Sequence, residues 1–364
     1  MKPKILFIMH MPPPIHGAAM IGQYIHESKH IKTNFDCHYI NLATSMDLRD
    51  IGKFKIRKLF TFIYMLLKIV YSIMTIRPQL IYITPNACGK AFYKDFIIVM
   101  LLKIFGFKII VHYHNKGVAT NQANIFDNLL YKMFFKNLKV ILLTESLYTD
   151  INKYVSRDNV YICPNGIPEI NNPLKDEHSN FNILFLSNMM CEKGVYILLE
   201  ACKILKSKGL HFCCHFVGKW SNISNENFHK YVFDNNLSTC VTAYGAKYGE
   251  EKNKFMSNAD VFVLPTYYQN ECFPLVLLEA MQQKITCIAS NEGGIPNIID
   301  DCKTGFIISK KDPKELAQKI EYLYNHPDEN KLMGENGYNK YCANYKLDIF
   351  ERNFKDILIN AISK

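Results

Sequence analysis

Glu271 and Glu279 are the only charged side chains in residues 267–283, YYQNECFPLVLLEAMQQ. Pro274 fits the first position of a helix, where its missing N–H costs nothing. That places Glu271 in the loop leading in and Glu279 on the helix, more than one turn further on. A helix N-terminus, with its open amides and positive dipole end, suits a phosphate or diphosphate. A carboxylate beside a phosphate is repelled by it unless it accepts hydrogen bonds from neutral hydroxyls, which sugars and ribose supply. The plainer alternative is a solvated loop acid at Glu271 and a lysine-paired surface acid at Glu279.

Other residues with chemical capacity sit where apolar runs give way to polar ones. Lys193-Gly194 precedes an amphipathic stretch, 195–207, and a lysine at a helix entrance can hold diphosphate as a point charge. Asn188, at the end of the run 182–187, can donate one hydrogen bond. His112 and His114, i and i+2 at the end of the strand-like run 107–112, share one side of a strand and precede Gly117. Near the N-terminus, strand 4–9 leads through His10, three prolines and His16-Gly17-Ala18 into a helix over about 20–28. Gly17 permits close backbone approach to a ligand, although an ordinary proline-rich turn reads the same way, and a dinucleotide fingerprint is absent.

The elements that must position these residues alternate between short β-rich runs and helical stretches, the pattern of parallel α/β domains. Strands are expected at 4–9, 80–83, 107–112, 138–144 and 160–162, and again at 182–187, 212–217, 240–244, 260–264 and 286–290. With 364 residues the chain suffices for two such domains. Apolar residues at 49% and charged residues at 21% describe a globular chain, neither disordered nor polytopic. The formal net charge of +10 favours anionic partners. The 12 cysteines show no paired metal spacing, which points to a reduced, cytoplasmic protein.

Residues 53–76 join a basic head, Lys53, Lys55, Arg57 and Lys58, to a long apolar helix interrupted by Lys68. Two readings stand: a core helix with a solvated basic end, or an interfacial contact with an anionic membrane.

Glu271, seven intervening residues and Glu279 resemble the Glu-x7-Glu signature of retaining glycosyltransferases of family four. Pro164-Asn165-Gly166, Lys193-Gly194, Gly293-Gly294-Ile295-Pro296 and Thr304-Gly305-Phe306 follow that family's pattern in order, most strongly over 182–340. One departure is Ser187-Asn188, where the family carries Gly-Arg. The resemblance implies the GT-B fold, two doubly wound Rossmann-like α/β domains facing across a cleft. It implies an acceptor-binding domain at 1–168, a linker at 169–180, a nucleotide-sugar-binding domain at 181–346 and a terminal helix, 347–364, crossing back to the first domain.

The activity implied is retaining, metal-independent glycosyl transfer from a UDP- or GDP-sugar to a glycan or polyprenyl-diphosphate-linked acceptor. It belongs with bacterial surface polysaccharides such as O-antigen, capsule or lipopolysaccharide. No cofactor and no nucleic-acid partner is implied. By the same resemblance Lys193 meets the leaving diphosphate, Glu271 the donor sugar hydroxyls and Glu279 the ribose. His114, with His112 second, positions the donor sugar. Gly17 and Ala18 offer backbone amides to the ligand phosphates, and Asn188, Cys272, Phe273 and Leu275 line the nucleotide site. The competing readings are a nucleotide-sugar epimerase of the same architecture and a non-catalytic scaffold binding a glycan lipid.

Overall fold

The computed structural model describes residues 1–43, 56–170 and 180–363. Lys53 and Lys55, the side chains of Arg57 and Lys58, and most of the expected linker lie outside the described residues. The chain divides into two compact units, Met1–Gly166 with Leu347–Lys364, and Ile167–Lys346.

In the first unit the strands are β1 (Lys4–Met9), β2 (Asp36–Asn41), β3 (Leu80–Ile83), β4 (Ile109–His112), β5 (Lys139–Leu142) and β6 (Val160–Ile162). Between them run α1 (Gly17–Glu27), α2 (Lys29–Asn34), α3 (Ile56–Ile76), α4 (Gly89–Ile104), α5 (Val118–Asn121) and α6 (Ile125–Phe135). All pairings are parallel, in the order β2-β1-β3-β4-β5-β6. The inner strands are continuous apolar runs because helices cover both faces of such a sheet, and β3 and β4 are buried throughout.

The second unit repeats the plan. Its order of elements is β7 (Phe181–Leu186), α7 (Val195–Ser207), β8 (Phe212–Val217), α8 (Asn225–Asp234), β9 (Val241–Ala243), α9 (Gly249–Ser257) and β10 (Val261–Leu264). It continues through α10 (Leu275–Gln282), β11 (Thr286–Ser290), α11 (Ile295–Ile298), β12 (Gly305–Ile308), α12 (Pro313–Asn325) and α13 (Pro327–Asn344). The sheet is parallel in the order β12-β11-β10-β7-β8-β9. The last helix, α14 (Leu347–Ser363), packs within the first unit. There Phe354 meets the Tyr82 ring at 5.1 Å, and Lys108 and Lys139 donate to the carbonyls of Ile362 and Ala361 at its C-terminus.

Each sheet reverses its winding once, between β1 and β3 in the first unit and between β7 and β10 in the second. Loops leaving the carboxyl ends of two strands part there, and in open α/β sheets the crevice so formed takes the ligand. The residues that follow β7 and β10, and those that follow β1, β3 and β4, are therefore the ones placed to do chemistry.

Candidate functional site

In the second unit the two switch-point loops are sewn together. After β7 the chain makes a short 3₁₀ turn, Cys191–Lys193, and enters α7 through Gly194 at φ +87°. A Cβ at Gly194 would stand 2.2 Å from the carbonyl oxygen of Pro265, just past β10, so only glycine lets the loops close. The Tyr267 amide and the Thr266 hydroxyl both donate to the Glu192 carbonyl, at 2.8 and 3.2 Å.

This closure brings Lys193 Nζ to 2.5 Å from Glu271 Oε2. Tyr268 lies alongside, its ring centroid 4.9 Å from the same ammonium. Glu271 is buried, so the loop-acid alternative of a solvated carboxylate does not describe it. An ammonium has three donors, and Lys193 directs one at Glu271.

The loop that carries Glu271 is clamped from β11. Gly294 N–H donates to the Cys272 carbonyl at 2.7 Å, and Gly293, at φ +56°, leaves no room for a Cβ, which would stand 2.2 Å from the Glu271 carbonyl oxygen. Glu292 beside them is itself buried and bridged to Lys310 at 2.7 Å. Cys272 and Phe273 are buried, Phe273 against the Tyr345 ring at 5.8 Å. Their side chains thus serve the core.

Pro274 stands one position earlier than expected, as the N-cap of α10, with ψ 115° and its carbonyl accepting from Leu277 at 3.1 Å. Leu275 is then the first helical residue, and a proline cap brings no side-chain acceptor to the amides of that turn. Glu279 lies on α10, half-buried, with Oε1 2.8 Å from Lys252 of α9. Its second oxygen, Oε2, is buried with no hydrogen-bond partner. The lysine-paired alternative therefore holds for one oxygen of Glu279, and the other is an open acceptor. Asn188 is exposed on the loop after β7.

In the first unit a second polar group forms at the ends of β1, β3 and β4. His112 and His114 do share one side of β4, their rings 4.2 Å apart. His112 is fully buried, hydrogen-bonded through Nδ1 to the Tyr82 hydroxyl at 2.9 Å, which makes it part of the core. Both ring nitrogens of His114 are shielded and without a partner. Burial first, then nearby His10 and His16, push the His114 imidazole down to about 3. His10 is pushed down to about 3 as well, by burial and then by Lys94. These rings are neutral at pH 7. Gly17 opens α1 with nothing within 4 Å of its Cβ position, and Ala18 beside it is half-buried.

Lys252, Tyr268 and His16 were not singled out for a role by sequence reasoning. Tyr268 belongs to the acidic stretch itself and could have been read from it. Lys252 carries no local signal, because its partner is 27 positions away. His16 caps α1 by accepting the Ala19 amide on Nδ1 at 3.3 Å, a task the usual capping residues would have advertised.

Two doubly wound parallel units with these loops make up a GT-B fold, and the solved structures agree. A glycosyltransferase from Rickettsia africae ESF-5 superposes with a TM-score of 0.76 at 18% identity, covering 99% of both chains. Anabaena Alr3699/HepE in complex with UDP-glucose superposes with a TM-score of 0.72 at 15% identity, covering 98% of this chain and 99% of that one. Residues 167–340 match the family model of the glycosyl transferases group 1. Among curated proteins, the capsular polysaccharide biosynthesis glycosyltransferase CapM of Staphylococcus aureus is 27% identical over 236 residues. That match spans 64% of this chain and 60% of CapM, less than two thirds of the relative's length.

Proposed function

We propose that this protein transfers a sugar, with retention, from a UDP- or GDP-sugar to a glycan or polyprenyl-diphosphate-linked acceptor in bacterial surface polysaccharide synthesis. The observation that carries this reading is the Lys193–Glu271 pair, held at the β7/β10 switch point beside the uncapped start of α10. A cation and helix amides offset diphosphate charge, and a buried carboxylate next to them offers acceptors to sugar hydroxyls. The open oxygen of Glu279 suits a ribose hydroxyl. In the first unit, the unpartnered nitrogens of neutral His114 suit a sugar hydroxyl, and the open space beside Gly17, with Ala18 next to it at the start of α1, suits a phosphate. The likeness to CapM and to a UDP-glucose complex supports the same class of donor and product.

In the front-face route the bond from the anomeric carbon to the diphosphate breaks while the acceptor oxygen bonds on the same face. The departing phosphate oxygen takes the acceptor's proton, so neither of two flanking carboxylates is required as nucleophile. Lys193 offsets the charge that grows on the leaving group, and neither lysine nor helix amides require a metal for this.

The test incubates purified protein with UDP- and GDP-sugars, with and without a polyprenyl-diphosphate-linked glycan. Acceptor-dependent release of nucleoside diphosphate, and a product with the donor's anomeric configuration, is expected. Donor interconversion without acceptor would make the protein an epimerase. Absence of calorimetric donor binding would leave a glycan-binding scaffold.

A further inference from the structure

The first unit leaves one side of its sheet clothed in helices that are apolar outward as well as inward. On α3 the inner stripe Met65, Ile69 and Ile73 is buried, yet Phe60, Tyr64, Leu67, Tyr71 and Met74 form a second stripe, exposed, at spacings of four and three. Tyr71 is 71% accessible. Helix α4 exposes Tyr93, Ile97 and Ile104, and α6 exposes Ile125, Phe126, Leu129 and Met133.

These helices lie on the same side of the sheet. The connections β2 to β3, β3 to β4 and β4 to β5 all advance in one direction along the strand order, and right-handed crossovers then place α3, α4 and α6 together. The face opposite is occupied by α14, since His112 points at Phe354 while the next residue, Tyr113, points at Phe135 of α6. Two links make α4 and α6 one plate. The Tyr93 hydroxyl donates to Asp127 at 2.8 Å, and Lys103 Nζ donates to the carbonyls of Met133, Phe134 and Lys136 at the end of α6.

A monomer in water does not leave so many large apolar side chains on one face without a partner for them. The charges identify the partner. Among the described residues of the three helices, the exposed charged side chains are Lys68, Lys90 and Lys132, while Asp95 is buried and Asp127 is engaged by Tyr93. A second copy docked about a two-fold axis would set these lysines against one another. Aromatic and aliphatic side chains ringed by lysine match the boundary of a bilayer with anionic headgroups. Among the described residues no helix is long and apolar enough to cross a membrane, so the contact lies in the interface plane.

We infer that the α3/α4/α6 face seats the first unit on an anionic bilayer surface, with the apolar side chains entering the headgroup boundary and the three lysines meeting lipid phosphates. The inference does not depend on the transfer reaction, because the test contains neither donor nor acceptor.

The full chain is co-sedimented with vesicles of phosphatidylglycerol and phosphatidylcholine in equal parts, and with phosphatidylcholine alone, at low and high salt. Wild type should partition at least about tenfold more strongly into the anionic vesicles and be released by salt. Leu67→Gln/Tyr71→Gln and, separately, Phe126→Gln/Leu129→Gln should each lower partitioning by about tenfold, and Lys68→Gln/Lys90→Gln/Lys132→Gln should abolish the preference for anionic vesicles. These positions are exposed, and circular dichroism with thermal melting checks that each variant is folded. Absence of wild-type binding at low salt, or variants that pellet like wild type, would overturn the inference. So would a dimer in sedimentation velocity that Leu67→Gln/Tyr71→Gln dissolves without any vesicle binding, which would assign the face to a second copy.

Discussion

Lys193 Nζ and Glu271 Oε2, 78 positions apart in the chain, meet at 2.5 Å between the loops that follow β7 and β10. Both side chains are largely shielded, so in the proposed reaction a diphosphate would meet a cation already fixed in place rather than one it must order.

Lys193→Ala should lower turnover by about a hundredfold or more at saturating donor, the scale for removing one preorganised electrostatic group. Glu271→Gln keeps the shape and one acceptor but frees the ammonium, so its effect and that of Lys193→Ala should not add. A double-mutant cycle on turnover measures this, and simple additivity would mean the pair does not act as a unit.

Glu279 presents one oxygen to Lys252 and holds the other open. Glu279→Gln should weaken nucleoside diphosphate binding by about 1–3 kcal/mol, the range for a hydrogen bond to a charged group. Lys252→Met, which loosens the carboxylate without removing it, should weaken binding less. Calorimetric affinities equal to wild type for Glu279→Gln would remove the ribose assignment.

Gly293 sits at φ +56° with the Glu271 carbonyl oxygen 2.2 Å from where a Cβ would be. Gly293→Ala should destabilise the second unit by about 3 kcal/mol, since left-handed backbone strain and a steric clash act together. At Gly17 a Cβ meets nothing within 4 Å, so Gly17→Ala should stay within about 0.5 kcal/mol of wild type. Urea titrations of the two variants test the contrast, and equal midpoints would contradict it.

Acid should unfold the first unit through its imidazoles. His10 and His114 are held down to about 3 in the folded chain, against an ordinary value of 6.5. Between these limits the unfolded chain binds protons that the folded chain does not, so stability is complete above about pH 6.5 and falls as the pH drops toward 3. Each imidazole should shift the unfolding equilibrium by about tenfold per pH unit in that window. Urea midpoints between pH 7 and 5 should fall less steeply for His114→Gln than for wild type. Parallel slopes would show that the ring is protonated in the native state.

The alternation of strands and helices was legible in the residues themselves, because an apolar run of four to six, or a period near 3.6, is a local property. Strands 4–9, 80–83, 160–162 and 212–217 and helix 195–207 occur in the structure where the sequence reading put them. Glu271 and Glu279 stood out because charge inside apolar sequence is conspicuous without any knowledge of neighbours. Which cation meets each acid was a different matter. Lys193 and Lys252 reach their partners only because β7 and β10, and α9 and α10, are brought together by the sheet, and contacts across 78 and 27 positions leave no trace in spacing. The two histidines at the end of β4 were ranked by resemblance alone, and in the structure Tyr82, 30 residues before His112, engages His112 while the ring nitrogens of His114 are unpartnered. On α3 the sequence left a core helix and an interfacial helix both open, since a helix pattern cannot say how much of its surface a sheet will cover. The sheet covers one stripe of that helix, and the tertiary structure alone decided that the remaining apolar stripe faces outward.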